Sequence, residues 1–360
     1  MRNRRNLLAS ILAASLCCGG CSLPSVRTVP PALGTTSQTG QSSHDKAGQS
    51  SHDKAGFLYV GGGKLSKYNL GSSTPLRAVT LAYFAFAIAL DKLGHVFVLE
   101  NYGSCGGQVQ VFSARDLRLQ RTISARVCLS GVAIDRKGYF YFTTCCQGLW
   151  VYAPGGTRLV NHMRRFANGA LAVDSSGNIY ADDLFSVAIY APTGVPGHLK
   201  FSGRIPKGVH WSDALAFGPT GDLFVVNTER CNAPCDHGPP SVTMFQPGER
   251  KPALRITGDL ALPSSPAVDS MGRLYVANTT IAGAPPWHSW VSLYGPGGTR
   301  PVRTFARGGG GLEQVAVDAS DNVYVANGRY VEVYAPAASK LLYKINEGKS
   351  GAEALAIGSQ

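Results

Sequence analysis

One phrase recurs six times along the chain, and this repeat constrains the fold more than any other feature. The copy that begins at Val315, VAVDASDNVYVAN, contains an apolar segment, an Asp followed by a turn, and a segment in which apolar and polar residues alternate. Each copy precedes a third segment that ends in an aromatic residue, and then a more variable fourth segment. The aromatic residues recur about every 40 residues, with two longer intervals: Phe112, Tyr152, Tyr190, Phe245, Tyr294 and Tyr334.

The period and the strand pattern of this repeat predict an all-β fold, a β-propeller of four-stranded antiparallel blades. At the start of the repeats, residues 57–80 contain a second, a third and a fourth strand but no first strand. At the C-terminus, EALAIGSQ supplies a first strand and nothing else. We therefore expect these two segments to form one composite blade, which closes a seven-bladed ring over residues 57–360 and leaves no bare strand edge.

Five aspartates end the first strand of their repeats and stand before a turn. We predict that their carboxylates accept hydrogen bonds from the backbone amides of that turn, which is a common role of Asp at such positions. Metal binding is the alternative interpretation. The five are Asp91, Asp135, Asp174, Asp269 and Asp318.

Two columns of residues are expected to line the mouth of the central channel. They lie before the first strands and after the second strands, on the face that we call the upper face. Converging carboxylate and amide oxygens suit a hard cation, above all Ca²⁺ or another divalent ion. The alternative is that these side chains cap the backbone of their own turns. The candidate metal ligands are Glu100, Asp183, Asp213, Glu313 and Glu353, and the amide candidates beside them are Asn227, Asn278 and Asn327.

The recurring phrases VAVD-xx-G-x-VYVAN and VYAP resemble those of the NHL-repeat and SMP-30/gluconolactonase-like propellers of bacteria. The resemblance covers residues 57–360 and implies the fold rather than one activity, because propellers support unrelated functions. In SMP-30-like lactonases, a Glu, an Asn and an Asp surround a divalent ion at the channel mouth. Transferred to this chain, the resemblance implicates Glu313 or Glu353, Asn227 or Asn278, and Asp213 or Asp183.

Two insertions lengthen upper-face loops of neighbouring blades, NTERCNAPCDHGPPS and NTTIAGAPPWHSW. Extra length in loops on a rigid scaffold is where binding residues tend to lie. Together with the preceding KGVHWSDA, these loops predict a pocket in which tryptophan rings stack on sugar rings or on a peptide. Its candidate residues are His210, Trp211, Asp213, His237, Trp287, His288 and Trp290.

Six cysteines follow the N-terminal segment, and an even number suggests disulfides in an oxidising compartment. A disulfide between Cys231 and Cys235 would close a short loop and stiffen one insertion. Zinc binding by these two cysteines with Asp236 and His237 is the alternative. The pairing of the other four, which fall on upper-face loops of two adjacent blades, stays open, and a bond between the two adjacent cysteines is one option: Cys105, Cys128, Cys145 and Cys146.

Residues 1–20 predict a secretory signal peptide, with three arginines before a short apolar segment. The CCGGC at its end resembles a bacterial lipoprotein box in which Cys21 is the lipidated residue, and a plain signal peptide is the alternative. Residues 21–56 contain QSSHDKAG twice and almost no apolar residue, so we expect a flexible tether. The resemblance implies a membrane-anchored protein of the bacterial cell envelope, and Ser22 after the cysteine resembles an outer-membrane address.

Charge and motifs limit the classes of function. Removal of the three signal-peptide arginines lowers the formal net charge from +12 to +9, which favours contact with anionic lipid or polymer. The sequence has no dense run of Lys and Arg interleaved with aromatics, so nucleic acid is not expected as a partner. It has neither a GxSxG nor an HExxH motif. The chain also resembles virginiamycin B lyases, but the histidines that such a lyase would use do not follow the repeat here: His210, His237 and His288.

These observations favour a monomeric binding module that takes a protein, peptide or glycan at its upper face. The first alternative is a divalent-metal-dependent hydrolase or lactonase of the SMP-30 type, in which a carboxylate acts as the base. The second alternative is a structural scaffold in an envelope complex.

Overall fold

Seven four-stranded antiparallel sheets make up the part of the chain that the computed structural model describes. The described residues are 56–102, 106–125, 127–145, 147–164, 169–183, 185–210, 212–228, 239–280, 288–308 and 311–359. The predicted signal peptide, the lipidation site Cys21 and the tether up to residue 55 lie outside these ranges.

Each sheet is one blade, and the blades are numbered in chain order from the composite one. Blades 1 to 4 contain β1 (Gly56–Gly61), β2 (Lys64–Asn69) and β3 (Arg77–Thr80); β4 (Ala85–Leu90), β5 (His95–Tyr102), β6 (Gly106–Ser113) and β7 (Leu119–Ala125); β8 (Leu129–Ile134), β9 (Phe140–Thr144), β10 (Gly148–Tyr152) and β11 (Leu159–Met163); and β12 (Leu171–Val173), β13 (Ile179–Asp182), β14 (Val187–Pro192) and β15 (Leu199–Ile205). Blades 5 to 7 contain β16 (Ser212–Phe217), β17 (Leu223–Asn227), β18 (Ser241–Phe245) and β19 (Leu254–Ile256); β20 (Leu262–Val268), β21 (Leu274–Thr279), β22 (Ser289–Tyr294) and β23 (Pro301–Gly308); and β24 (Leu312–Val317), β25 (Val323–Asn327), β26 (Tyr330–Tyr334) and β27 (Leu341–Asn346). The last strand, β28 (Ala354–Ser359), returns to blade 1.

The composite blade forms as the sequence predicts. The C-terminal strand β28 pairs antiparallel with β1, from Gly56 opposite Ser359 to Gly61 opposite Ala354. As the inner strand of blade 1, β28 contacts β4 on one side and β24 on the other. The inner strands of the other blades contact one another in the same way, so the fold is a closed seven-bladed β-propeller.

Helical structure is minor in the described residues. It includes the 3-10 helices Pro154–Gly156, Pro336–Ala338 and Gly348–Ser350. Among these residues, no helix has the length and apolar character needed to cross a bilayer.

The hydrophobic core lies between the blades. Each of seven buried clusters joins two neighbouring blades, such as the one in which Tyr59 and Leu65 of blade 1 pack with Val96 and Val98 of blade 2. This explains the sequence pattern, because the middle strands of a blade bury both faces against neighbouring sheets. The packed blades give a rigid frame for the loops at either end of the channel.

The five predicted turn caps are confirmed, and they define the lower face of the propeller. The Asp318 Oδ1 atom accepts the backbone N–H groups of Ser320 at 2.8 Å and Asn322 at 2.9 Å, and the other four aspartates make the equivalent bonds. In blades 3, 6 and 7 the second carboxylate oxygen accepts a tyrosine hydroxyl, as from Tyr324 at 3.0 Å. The carboxylates of these aspartates therefore accept hydrogen bonds from their own turns and blades.

Candidate functional site

β-Bulges form the opposite, upper end of several inner strands. Phe86, Asp213 and Glu313 are each the extra residue of such a bulge, where one inner-strand residue has no partner on the second strand. A bulge redirects the side chain that it carries and often occurs near binding sites. Asp213 and Glu313 of the first predicted column thus lie in bulges, beside the ends of the second strands, where Ser212 pairs with Asn227.

The side chains of Asn227 and Asn278 form hydrogen bonds with the backbone of their blades. Asn227 is buried; its Oδ1 accepts the His210 backbone N–H at 2.9 Å, and its Nδ2 donates to Thr243 Oγ1 at 3.1 Å. Asn278 is likewise buried; its Oδ1 accepts the Ala261 N–H at 3.3 Å, and its Nδ2 donates to Ser292 Oγ at 3.2 Å. Both therefore hold the loop before the first strand of their blade, rather than capping their own turns as the alternative interpretation expected. Asn327 is half-buried at the same position of blade 7.

The predicted carboxylates do not gather into one metal-binding group. In the described part of the chain, no three His, Cys, Asp or Glu side chains are placed to hold a metal ion together. Asp213, Glu313 and Glu353 are half-buried and interact with neighbouring groups. Burial raises the pKa of Asp183, while Arg204 and a hydrogen bond from Ser186 oppose that shift.

Glu100 occupies in blade 2 the position that Asn227 and Asn278 occupy in blades 5 and 6. Its carboxylate is fully buried, accepts the backbone N–H of Tyr83, and accepts Gln108 Nε2 at Oε2 over 2.5 Å. The Oε1 atom has no hydrogen-bond partner, although it is buried. Burial raises the pKa of Glu100, because a desolvated carboxylate disfavours its charged form.

A groove of about 590 Å³ opens on the upper face of blade 6. It includes two of the predicted ligand-binding residues, His288 and Trp290, at the start of β22. The Trp290 ring is half-buried, and its indole N–H donates to Asp259 Oδ2 and to Ser292 Oγ, each at 3.0 Å. The groove is lined by Asp259, His288, Ser289, Trp290, Arg307 and Gly308.

Asp259 is the central residue of this groove that the sequence analysis missed. Its Oδ2 atom also accepts the Ser292 hydroxyl at 2.7 Å, and Ser292 in turn accepts the Asn278 amide. The backbone of Asp259 has a positive φ of 59°. A non-glycine residue in that region implies that the surrounding contacts fix the turn. A network of hydrogen bonds through Asp259 and Ser292 to Asn278 therefore holds Trp290 in one orientation.

Blade 1 contains the same network in a closed form. There Glu347 accepts Ser66 Oγ at 3.1 Å and the Tyr68 hydroxyl at 2.6 Å, and Lys64 pairs with it at 2.9 Å. Lys64 stands where blade 6 has Trp290, two residues before the serine. Glu347 is buried, whereas Asp259 is exposed. An acid after a fourth strand thus bonds to the serine of the next blade in blades 1 and 6. Of these two acids, Asp259 of blade 6 lines a groove that has an aromatic wall.

The remaining pocket candidates divide into two groups. His210 does not line the groove; its Nε2 lies 3.4 Å from Arg255 Nη2 on blade 5. Asp213, in the bulge of the same blade, is also absent from the lining. The other candidates lie outside the described residues, as do both cysteines of the predicted Cys231–Cys235 disulfide: Trp211, His237 and Trp287.

A second cavity, of about 530 Å³, lies at the lower mouth of the channel. The turns of blades 2 to 5 line it, including Asp91, Asp135 and Asp174. The Oδ2 atom of Asp91 pairs with His95 Nδ1 at 2.7 Å, and that of Asp135 accepts the Tyr141 hydroxyl at 2.9 Å. The sequence predicts no site here, because these aspartates are expected to cap their own turns.

Cys128 and Cys145 lie next to each other at the upper end of blade 3, where the Cys145 Sγ atom lies 3.3 Å from the Cys128 carbonyl oxygen. The other two members of the predicted four, Cys105 and Cys146, lie outside the described residues. The predicted disulfide pairing therefore stays a prediction.

Comparisons with known proteins support the fold. A functionally unknown protein from Desulfotomaculum acetoxidans DSM 771 superposes with a TM-score of 0.66 at 16% identity, over 84% of this chain and 99% of that one. A candidate 6-phosphogluconolactonase from Bacteroides fragilis NCTC 9343 superposes with a TM-score of 0.65 at 12% identity, over 86% of this chain and 99% of that one. At such identities the likeness is one of fold alone. No protein-family model matches the chain, and no curated protein matches it in sequence.

Proposed function

We propose that this chain is a ligand-binding module whose site is the blade 6 groove, and that the ligand is a sugar ring of a glycan. The observation that carries the proposal is the half-buried ring of Trp290, which Asp259 holds at the wall of a groove large enough for a sugar ring. Binding sites combine apolar and aromatic walls with a few placed polar groups. His288 and Arg307 supply those groups here.

The fixed orientation of Trp290 is what distinguishes this groove from an ordinary exposed aromatic residue. A ring that is already ordered loses little conformational freedom when a ligand stacks on it, so more of the contact energy remains as affinity. The Asp259 carboxylate accepts the indole N–H and the Ser292 hydroxyl, so it contacts the edge of the indole ring and not its face.

Trp290→Ala should abolish or strongly weaken glycan binding. Aromatic contacts contribute roughly 0.5–1.5 kcal/mol beyond the area they bury, so loss of the whole platform should weaken Kd by about tenfold or more. The purified protein, labelled with a fluorophore, is applied to a glycan array, and the glycans it retains are titrated in solution.

Tyr330→Ala is the matched control for that variant. Tyr330 pairs with Asn327 in blade 7 as Trp290 pairs with Asn278 in blade 6, it is 41% exposed, and it does not line the groove. We expect this control to bind like the unmodified protein. An array without any bound glycan, or equal binding by both variants, would overturn the proposal.

A metal-dependent lactonase of the SMP-30 type is the second proposal. It is supported by the resemblance of the repeats to NHL and SMP-30-like propellers. The engagement of Asn227 and Asn278 in caps and the separation of the carboxylates weaken it. A scaffold role in an envelope complex has no specific support from the described surfaces.

The proposed location is the bacterial cell envelope, with the propeller tethered through a lipid on Cys21. The sequence of the signal peptide and the CCGGC motif support it. Expression of Cys21→Ser should move the protein from the membrane fraction to the soluble or uncleaved precursor fraction, and it should abolish incorporation of radiolabelled palmitate. Palmitate labelling that persists in this variant would contradict the assignment of Cys21.

A further inference from the structure

The cavity at the lower mouth of the channel has an apolar inner wall and a polar rim. The last residues of four inner strands line the inner wall, and all four are half-buried: Leu90, Ile134, Val173 and Phe217. The turns that follow these strands form the rim, where charged and hydroxyl-bearing residues are exposed. The volume of about 530 Å³ lies within the range of roughly 300–1,000 Å³ that is typical of small-molecule pockets.

Two basic residues stand on one side of this rim. They are Lys92 of blade 2 and Arg136 of blade 3, each of which directly follows a capping aspartate and is exposed. The equivalent residues of the other blades that contain this turn are uncharged: Ser175, Pro219, Ser270 and Ala319. The two cations therefore lie on adjacent blades and line the same cavity.

The three carboxylates that line the cavity are bonded within their own blades. Each accepts two backbone N–H groups at Oδ1 and contacts a side-chain group of its blade at Oδ2, as in Asp174, where Oδ2 accepts the Asn178 amide at 2.7 Å. The Asp91 side chain has no exposed surface. Because Lys92 and Arg136 are exposed, a ligand at the rim meets their positive charges first.

Residues of blades 2 to 5 line the cavity, whereas the turns of blades 6 and 7 are bonded to each other. Ser270 of blade 6 donates its backbone N–H to Asp321 Oδ1 at 2.9 Å and its hydroxyl to Asp321 Oδ2 at 2.6 Å. Arg273 of the same blade 6 turn pairs with Asp269 at 2.5 Å. The entrance is therefore flanked by basic residues on blades 2 and 3 and by hydroxyl-bearing residues on blades 4 and 5.

We propose that this cavity binds a small anionic amphiphile, a molecule with an apolar body and one carboxylate. The body contacts the ends of the inner strands, and the carboxylate pairs with Lys92 and Arg136. Burial of the apolar body supplies affinity. The guanidinium group of Arg136 can donate two parallel N–H bonds to a carboxylate, which fixes the ligand with its charged end at the rim. This inference is independent of the blade 6 groove, which opens on the upper face.

Calorimetric titration of the full chain with decanoate, 1-decanol and decylamine tests the ligand class. The three probes have the same chain length and differ in the charge of the head group. Decanoate should bind saturably at one site per chain, and the other two should bind several-fold more weakly. Octanoate, which is two CH₂ groups shorter, should bind roughly three- to fifteenfold more weakly than decanoate. No saturable binding of decanoate, or equal affinity for all three head groups, would overturn the proposal.

Lys92→Ala and Arg136→Ala test the two cations. Each should weaken the Kd for decanoate by roughly two- to fivefold, the range expected for one exposed ion pair. Lys137→Ala is the matched control, because Lys137 adjoins Arg136, is exposed and does not line the cavity. It should bind decanoate like the unmodified protein. A Kd that is the same in all three variants would contradict the role given to Lys92 and Arg136.

Ser175→Trp tests the location of the site without a change in the core. Blades 2 and 3 carry long side chains at the same turn position, so the turn tolerates the substitution. The indole ring should fill part of the entrance and strongly weaken decanoate binding. Ala319→Trp places the same side chain in the equivalent turn of blade 7, outside the cavity lining, and should leave binding unchanged. Both variants should melt at the temperature of the unmodified protein, and unchanged binding by Ser175→Trp would overturn the assignment of this cavity.

Discussion

Deletion of the C-terminal strand, residues 354–360, is expected to abolish the folded propeller. This strand is the inner strand of blade 1, and its residues Ala354 and Leu355 are at most 1% exposed. It also contacts the inner strands of both neighbouring blades. Its loss removes a row of ladder hydrogen bonds and two packed surfaces at once, which exceeds the roughly 5–15 kcal/mol by which a domain is stable. The truncated chain should show no cooperative unfolding when circular dichroism is followed against temperature.

Two controls make the truncation result specific. Deletion of residues 41–48, one copy of the repeated octapeptide, shortens the chain by a similar length and should leave the melting temperature unchanged. A synthetic peptide of residues 352–360, added in excess to the truncated chain, should restore some cooperative unfolding, because a free strand can add to an open sheet edge. A truncated chain that melts at the temperature of the unmodified protein would show that the ring does not depend on this closure.

Glu100→Gln is expected to stabilise the protein at neutral and alkaline pH. Asn227 and Asn278 each accept a backbone N–H from a residue 17 positions earlier, and Glu100 accepts that of Tyr83 at the same offset. The asparagines then donate with their amide groups, whereas Glu100 leaves Oε1 buried without a partner. Leaving a buried polar group unsatisfied costs about 1–3 kcal/mol, and more when it is charged. A neutral carboxamide avoids the charge.

The effect of Glu100 should depend on pH in one direction. Burial raises the folded-state pKa of Glu100 above its unfolded value, so the folded state retains the proton more strongly. The stability from that protonated carboxyl is fully present below the unfolded pKa and is lost as pH rises through the folded pKa. The advantage of Glu100→Gln should therefore be small at low pH and grow as pH rises.

Denaturant unfolding of the unmodified protein and of Glu100→Gln, from acidic to alkaline pH, measures the difference in their free energies of unfolding. Glu249→Gln, which replaces an exposed carboxylate, should show no comparable change. A difference for Glu100→Gln that is constant with pH, or that shrinks as pH rises, would contradict the buried-acid interpretation.

Most of the fold could be predicted because the repeat records it directly. The aromatic at the end of each third strand, from Phe112 to Tyr334, sets the period. The missing first strand before Phe57 and the lone strand at Ala354 together required a composite blade. The turn role of Asp318 also followed from local sequence, because its partners are two and four residues away.

The site was harder to predict because its contacts join residues that are distant in sequence. His288 and Trp290 were identified from the inserted loop, but Asp259 lies outside the repeated phrase and 31 residues from Trp290. The sequence did contain a signal. An acidic residue, Asp259 or Glu347, follows the fourth strand of one blade. In the third strand of the next blade, a serine stands two residues before an aromatic residue. The unpaired oxygen of Glu100 left no sequence signal, since it depends on which donors the neighbouring blade brings near.

Calorimetric titration of a glycan selected on the array decides whether the blade 6 groove is the binding site. The protein is compared with Trp290→Ala and with Trp290→Phe, which keeps an aromatic face but loses the indole N–H to Asp259. Kd is expected to weaken by about tenfold or more in Trp290→Ala and by less in Trp290→Phe, and to stay unchanged in Tyr330→Ala. Equal Kd values for the unmodified protein and Trp290→Ala would contradict the claim that this groove is the binding site.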